Sequence, residues 1–477
     1  MFLSIYVHRR LGLTFDVTED GTRLPEETAR HGPAFDRLTA DPDMLRHAVR
    51  LRRWLAALLP ENNTLAAYRL QAREAWERHG AGAAPDSAAA VLWGNADAEY
   101  AGAIELRRIG PDAPPELDAP AAGAVEPLTD AEIGRRLGLA ARVAEEPQVH
   151  VMLIGRRFKP IDPVPDDVHH GLFRELLALS GRRAALSGMR GKFGATPLPG
   201  GRWGTVTGAG LNTWIVKHEH RDHLPGEAGV EAICQRTLAL VGVPAATTRA
   251  RVFGGQQAVL SERSDRVRGP DGRVDARHQE EFVQALGHDP EAKYWEGRRG
   301  EPGWPAAYQL LQRHGASPER CQNRLTRALA ACWLLGNGDL HRRNLGFLHT
   351  PAGAPAGVTL APLYDASSAI GTRYASSPDV PIGGGRRRHR ITPRHWLRPS
   401  RDCGIDGDRT LAIIDELFRT LPDALAAARD QARDEDENLF PLAVAERIDA
   451  TIGHVQARER AYRQQAVSLG RRGRDRD

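Results

Sequence analysis

The sequence predicts an α+β protein in which a strand-rich lobe precedes a helical one, with a further unit ahead of both. Three observations carry this reading. Strand-like runs gather between residues 149 and 263, helical periodicity prevails beyond 278, and a stretch rich in proline and glycine follows residue 106. At 477 residues the chain also exceeds what one hydrophobic core supports, so about two to four packed units are expected.

Residues 1–108 read as the first unit. In LRHAVRLRRWLAALLPE the spacing puts Leu45, Val49, Leu51, Leu55 and Leu58 on one helical face, and YAGAIEL (100–106) is strand-like. The segment RRIGPDAPPELDAPAAGAVEP lacks any regular period, so 109–144 is expected to be a linker or long surface loop. The first lobe, 145–265, opens with a strand at VHVMLIG (149–155) and a short helix at GLFRELLALSG (171–181). A glycine-rich turn at 188–194 leads to strands at WGTV, TWIVKH (213–218) and QQAVLSER (256–263), with a helix closed by Gly242 among them. The second lobe, 266–470, is expected to be helical apart from one β-hairpin between 345 and 365; residues 471–477 read as a disordered tail.

Bulk properties exclude several classes. The 41% hydrophobic content is that of a folded globular chain. No apolar run approaches the roughly 18 residues that cross a bilayer. The start, MFLSIYVHRR, places its apolar stretch before the basic residues, the reverse of a secretory signal, so a cytoplasmic location is expected. Cys234, Cys321, Cys332 and Cys403 lack the paired spacing of a zinc site and read as reduced, buried thiols. A net charge of +4 does not mark a nucleic-acid binder; the one dense cluster, Arg386 to Arg390, reads as a solvated loop.

The strongest chemical signal is GNGDLHRRNLGFL followed by TLAPLYDASSA. An apolar helix (324–335) is ended by Gly336-Asn337-Gly338, which tolerate positive φ, leaving Asp339 on a loop. If 345–349 and 358–364 pair as a hairpin, Asn344 comes beside Asp365, and Asp339, Asn344 and Asp365 converge. Phosphoryl transfer needs such a set: one carboxylate to orient a hydroxyl and take its proton, and an amide oxygen and second carboxylate for Mg²⁺. His341 lies on the same loop, either bonded to backbone or touching phosphate; Arg342 and Arg343 read as solvated.

A second signal is Leu186-Ser187-Gly188-Met189-Arg190-Gly191-Lys192-Phe193-Gly194, whose three glycines free backbone N–H groups for phosphate oxygens. It is not a Walker A loop, since Phe193 stands where Ser or Thr should follow the lysine. Lys217, ending an apolar strand, suits a phosphate-pairing role; the alternative is an edge-strand lysine kept for solubility. Glu227 and Glu231, one helical turn apart, are both candidate partners, with Glu231 preferred.

Taken together these segments resemble the HipA-type toxins of type II toxin–antitoxin systems, and the resemblance covers nearly the whole chain. It is carried in order by LLPEN, YAGAIEL, EPLTDAEI, SGMRGK, IVK, SERSDR, HQEEFVQALG with KYW, NGDLHRRN, LAPLYD and ITPRHW. The resemblance implies a protein-kinase-like two-lobed fold with an added N-terminal α/β subdomain and an all-helical C-terminal lobe. It implies ATP with Mg²⁺ and growth-arresting phosphorylation of protein serines or threonines, aminoacyl-tRNA synthetases being the best-known substrates. By position, Asp339 would be catalytic, Asn344 and Asp365 metal ligands, and Ser187, Gly188, Lys192, Lys217 and His341 phosphate contacts. Backbone around Glu262 and Ser264 would meet adenine, and Tyr364 would line the nucleotide pocket. The implied partner is a HipB-like helix-turn-helix antitoxin, through which DNA is mainly reached.

Three departures from the family pattern stand out. Ala185 replaces the serine whose autophosphorylation switches such enzymes off, so that control passes to Ser187 or is absent. The stretch 20–50 lacks the expected Ser/Pro-rich segment, and Ser264 stands where an aromatic residue is common. Two other functions fit parts of the sequence: a catalytically weak co-repressor binding DNA phosphates through Arg386 to Arg390 with its antitoxin, and a small-molecule kinase.

Overall fold

The computed structural model describes the chain from Phe2 to Arg474, except residues 18–29, 60–61, 80–86, 97, 110–111, 119–122, 146–191, 209, 220–225, 291–302, 352–353, 373–380, 384, 386–387 and 436–441. The strand expected at 149–155, the helix at 171–181, and Ser187 and Gly188 of the glycine-rich turn lie outside the described residues. The chain divides into two compact units: residues 1–220, 252–280 and 284–290 in the first, and 221–251, 281–283 and 291–477 in the second.

Among the described residues the first unit holds two larger sheets and a two-stranded ribbon. Strands β1 (Phe2–Val7) and β2 (Arg10–Asp16) form a hairpin whose turn residues, His8 and Arg9, have φ of 49° and 63°, the left-handed pair that a two-residue turn between twisted strands requires. β3 (Arg30–His31) pairs with β2, and β4 (Ile104–Arg107) with β1. Helices α1 (Ala48–Ala57), α2 (Asn62–Arg78) and α3 (Ala88–Gly94) bring Trp54, Trp76 and Trp93 into the core beneath this sheet. Leu45, Leu51, Leu55 and Leu58 are buried as their spacing predicts, but Val49 is 56% exposed. The reason is a break in the expected helix: Leu45 belongs to a separate 3₁₀ turn (Pro42–Arg46), which puts Val49 out of phase with it.

The stretch expected to be a linker is not all loop. Within it, β5 (Val125–Leu128) and α4 (Asp130–Glu145) join the second sheet and its core. The EPLTDAEI segment is a capping box: the Glu132 backbone N–H donates to Thr129 Oγ1 at 3.2 Å, and the Thr129 N–H to Glu132 Oε2 at 2.7 Å. A Cβ at Gly134 would lie 2.6 Å from the Phe253 carbonyl, so glycine lets α4 sit against this sheet. The sheet adds β6 (Lys192–Pro197), β7 (Trp203–Val206), β8 (Trp214–His218), β9 (Thr248–Phe253) and β10 (Gln256–Glu262), and runs in the order β5-β7-β6-β8-β10 through the first unit. Phe193, Ala195, Trp214, Val216, Ala258 and Leu260 face Ile133 and Leu137 of α4. Because side chains alternate along a strand, Lys192 and Lys217 lie on the opposite face. A short ribbon, β11 (Arg266–Arg268) with β12 (Val274–Ala276), occupies residues expected to begin the helical lobe.

Among the described residues the second unit is mainly helical, with strand residues 248–251 and one hairpin besides. α5 (Glu227–Leu240) ends as predicted, with Gly242 at φ 74°. It packs with α7 (Pro318–Leu335), α9 (Gly407–Glu435) and α10 (Leu442–Arg474), while α6 (Trp304–His314) packs against α7 and α8 (Pro393–Cys403) against α9. Trp333, Trp396, Phe418 and Tyr462 form its aromatic centre. α10 continues to Arg474, past the point where a disordered tail was expected. The hairpin is β13 (Gly346–His349) with β14 (Val358–Leu360), Phe347 opposite Leu360. All four cysteines are free and buried, and burial pushes the Cys234 and Cys332 thiols up to about 12.

Candidate active site

The helical unit carries the Asp339 loop. α7 stops at Gly336, whose φ of 72° reverses the chain, and the Asn337 N–H returns to the Cys332 carbonyl at 3.0 Å. The Asn337 side chain then accepts the Asp339 N–H at 3.1 Å. From Asn337 to His349 every residue is buried except Gly338, which is partly so, and Asp339, which is exposed. Asp339 therefore stands as an exposed carboxylate on a buried platform.

Short bonds fix that platform. The Asp339 carbonyl accepts the His341 N–H and the Asn344 Nδ2–H, each at 2.8 Å. Since the Asn344 amide nitrogen is used in this way, its oxygen is the atom left for a ligand. The Arg343 N–H donates to His341 Nδ1 at 3.2 Å, which puts the proton of neutral His341 on Nε2. Arg342 and Arg343 were expected to be solvated; they are 1% and 3% exposed. Arg343 is buried because Glu281 pairs with its Nε at 2.6 Å, an anchor beneath the loop.

The hairpin brings the second half of this set alongside. Its register runs Phe347 to Leu360, and the Tyr364 hydroxyl donates to the Arg343 carbonyl at 2.7 Å, so the segment ending at Asp365 lies beside the end of the Asp339 loop. Asp365 has φ 57° and is, with His8 and Arg9, one of three non-glycine residues in the left-handed region among the described residues. The other two make a tight hairpin turn; Asp365 sits at a bend just after Tyr364. Of the two glutamates weighed as partners for Lys217, Glu227 is taken by Arg447, whose Nη2 is 3.2 Å away and which also donates to the Ser368 carbonyl at 2.7 Å. Glu231 is 2% exposed.

The strand-rich unit holds the other candidates. Lys217 is 4% exposed on β8, which is flanked by β6 and β10, so the edge-strand explanation does not apply. Lys192 stands directly opposite it in the β6–β8 register. Glu262 is exposed at the end of β10 opposite Trp214, and the Ser264 hydroxyl donates to Gln279 Oε1 at 3.0 Å.

Around that segment lies a network that sequence reasoning missed. Arg263 pairs with Glu99 at 2.6 Å and Asp265 at 2.8 Å, and Arg266 pairs with the same two acids at 2.8 and 2.9 Å. Asp265 also accepts the Gly102 N–H at 2.8 Å. Burial alone would raise Asp265, but the Arg263 and Arg266 guanidiniums outweigh it and hold the carboxyl well below its ordinary range. Thus YAGAIEL and SERSDR, far apart in sequence, are two sides of one buried cluster.

Comparison with known proteins agrees with this architecture. The model of the HipA-like C-terminal domain matches residues 184–425. The protein named "Putative kinase Y4mE" from Sinorhizobium fredii is 30% identical over 271 residues, which cover 56% of this chain and 61% of that protein, so the match spans about three-fifths of this curated relative. A chain of the solved Shewanella oneidensis MR-1 toxin–antitoxin complex of HipA, HipB and its operator DNA superposes with a TM-score of 0.67 at 19% identity, covering 96% of each chain. At that identity the likeness is one of fold, an α+β architecture.

Proposed function

The chain belongs to the HipA-like C-terminal domain family, and from that premise we propose that it is an ATP-dependent protein serine/threonine kinase, the toxin of a type II toxin–antitoxin pair. The observation that carries this reading is the exposed Asp339 carboxylate on a buried loop braced by Asn344. A carboxylate so held can accept a hydrogen bond from a substrate hydroxyl and then its proton.

In this reading the remaining residues, assigned from the sequence, serve a magnesium–nucleotide complex. The Asn344 amide oxygen and the Asp365 carboxylate are the hard oxygen donors that Mg²⁺ takes. Magnesium, when bound with ATP, supplies neutralisation of phosphate charge. Lys192 and Lys217 contribute fixed positive charge, and His341 can donate from Nε2 to a phosphate oxygen. Backbone near Glu262 and Ser264 serves adenine in this reading, and Tyr364 lines the nucleotide pocket. Ser187 and Gly188 are assigned to the phosphate loop from the sequence alone. The Shewanella complex contains HipB and operator DNA; by analogy a helix-turn-helix antitoxin is the partner here, bringing DNA with it. The substrate class is a protein, with aminoacyl-tRNA synthetases the first to try.

Phosphate transfer from Mg-ATP into lysate proteins tests the proposal, wild type against Asp339→Asn. Labelling of a discrete protein that vanishes in the variant is the expected result and delivers the target. No transfer by folded, ATP-binding wild type overturns it in favour of the co-repressor reading. His389 and Arg390, both exposed at the end of the basic cluster, are then the residues to examine for DNA contact.

A further inference from the structure

The Asp339 loop leaves from the C-terminal end of α7; a separate feature lies at the other end of the same helix. There the helical unit has a pocket of about 370 Å³, lined by Arg320, Arg324 and Arg327 of α7 together with Arg409 from the first turn of α9. Arg320 lies sixteen residues before Gly336, which at the helical rise is about 24 Å away. The pocket is therefore distinct from the loop.

Its charge is unbalanced. The three arginines of α7 recur at intervals of four and three, which puts them on one face, where like charges repel. Against these four arginines the lining offers one acid, Glu319. Arg327 is already occupied: its guanidinium grips Glu416 at 2.6 Å and donates to the Val241 carbonyl at 3.1 Å. Arg320, Arg324 and Arg409 make no side-chain hydrogen bond or close ion pair among the described residues. Arg409 acts on Glu416 only at longer range, adding to the lowering that Arg327 imposes. Ser317, which caps α7, makes no side-chain bond to the first turn, so its N-terminal amides are not taken by that cap.

We propose that this pocket binds a small molecule bearing two or more phosphate groups. Guanidinium forks pair with phosphate oxygens in a planar, two-pronged geometry that a solvated surface does not need. The volume falls in the range of small-molecule sites. No aromatic ring lines the pocket, so recognition goes through the anionic groups and not through a stacked base. The fixed position of Arg327 against Glu416 gives the other three arginines a rigid wall. The site is independent of the kinase assignment and would stand if that failed.

The test is calorimetric titration of the full chain with sodium tripolyphosphate, magnesium omitted, in wild type, an Arg320→Gln/Arg324→Gln double variant, and Lys217→Gln. The expected result is binding in wild type that weakens by about tenfold or more in the double variant and persists in Lys217→Gln. Arg409→Gln, on a different helix, gives the same result should the double variant fail to fold. Binding lost in Lys217→Gln but kept in the arginine variants overturns the proposal, because the probe then sits at the proposed nucleotide site. Absence of binding in wild type overturns it as well. Citrate bound as tightly as tripolyphosphate overturns the preference for phosphate. A DNA duplex that binds through these arginines while tripolyphosphate does not would make the pocket part of a nucleic-acid surface instead.

Discussion

Two charged clusters in this chain use the same residue types to opposite ends. In the first unit Glu99, Arg263, Asp265 and Arg266 are all side chains of 7% exposure or less, and their two positive and two negative charges cancel at 2.6–2.9 Å. In the second unit Arg343 and Glu281 cancel beneath the loop, while Asp339 is held out from the buried run above them. Buried pairing is what lets a charge belong to the architecture; a charge that the architecture exposes and braces is available for chemistry. The contrast separates two roles that the letters Asp, Glu and Arg do not distinguish.

The sharpest break of that contrast is kinetic. Asp339→Asn is expected to lower phosphoryl transfer by about 10²–10⁴-fold while leaving the thermal midpoint unchanged, since the residue is exposed. A matching loss of stability would mean that Asp339 is structural. The reverse pattern belongs to Glu99→Gln. Removing one acid from a buried network leaves an uncompensated guanidinium, at a cost of about 3–5 kcal/mol, read as a drop in the urea midpoint.

Acid titration probes the same network more gently. Asp265 is held below its ordinary range, so its stabilisation is complete above the unfolded value of about 4. It is lost as pH falls from there through the lower folded value. The thermal midpoint of wild type should thus hold between about pH 7 and 5 and fall below about 4, more steeply than in Asp265→Asn. Equal slopes would show that Asp265 gains nothing from its arginines. The smallest effect concerns the backbone of Asp365. Asp365→Ala is expected to cost about 1 kcal/mol because its φ is positive, whereas Asp365→Gly should be close to neutral in stability and lack transfer activity. Identical stabilities would argue against a held left-handed conformation.

The sequence was informative where a local rule sufficed. Gly336 and Gly242 ended their helices as read, and the hairpin after Asn344 formed because its alternating apolar residues are bounded by a turn-rich segment. Strands β7, β8 and β10 lie where β-branched and aromatic residues cluster. What escaped depends on long-range partners. Nothing near Arg342 or Arg343 announces burial, because the acid that neutralises Arg343 sits 62 residues earlier. Val125–Leu128 looks like linker because a four-residue edge strand has too little pattern of its own and is defined by its pairing with β7. The resemblance marked YAGAIEL and SERSDR as meaningful without giving the reason, which is the salt-bridge cluster that joins them. The arginines of α7 read as part of an ordinary helix until Arg409 was placed beside them.

The salt-bridge cluster also sets a schedule for biosynthesis. Glu99 and Arg263 are 164 residues apart, and the core under the second sheet needs Phe253, Ala258 and Leu260 as well as Ile133 and Leu137. At the usual elongation speed of about 5–20 residues per second, Arg263 leaves the ribosome on the order of ten to thirty seconds after Glu99. Through that interval the nascent first unit lacks β10 and carries an acid whose partners do not yet exist. A ribosome stalled before residue 256 would therefore expose an open sheet edge, so for this chain incomplete translation yields a substrate for chaperones and proteases and not a partial fold.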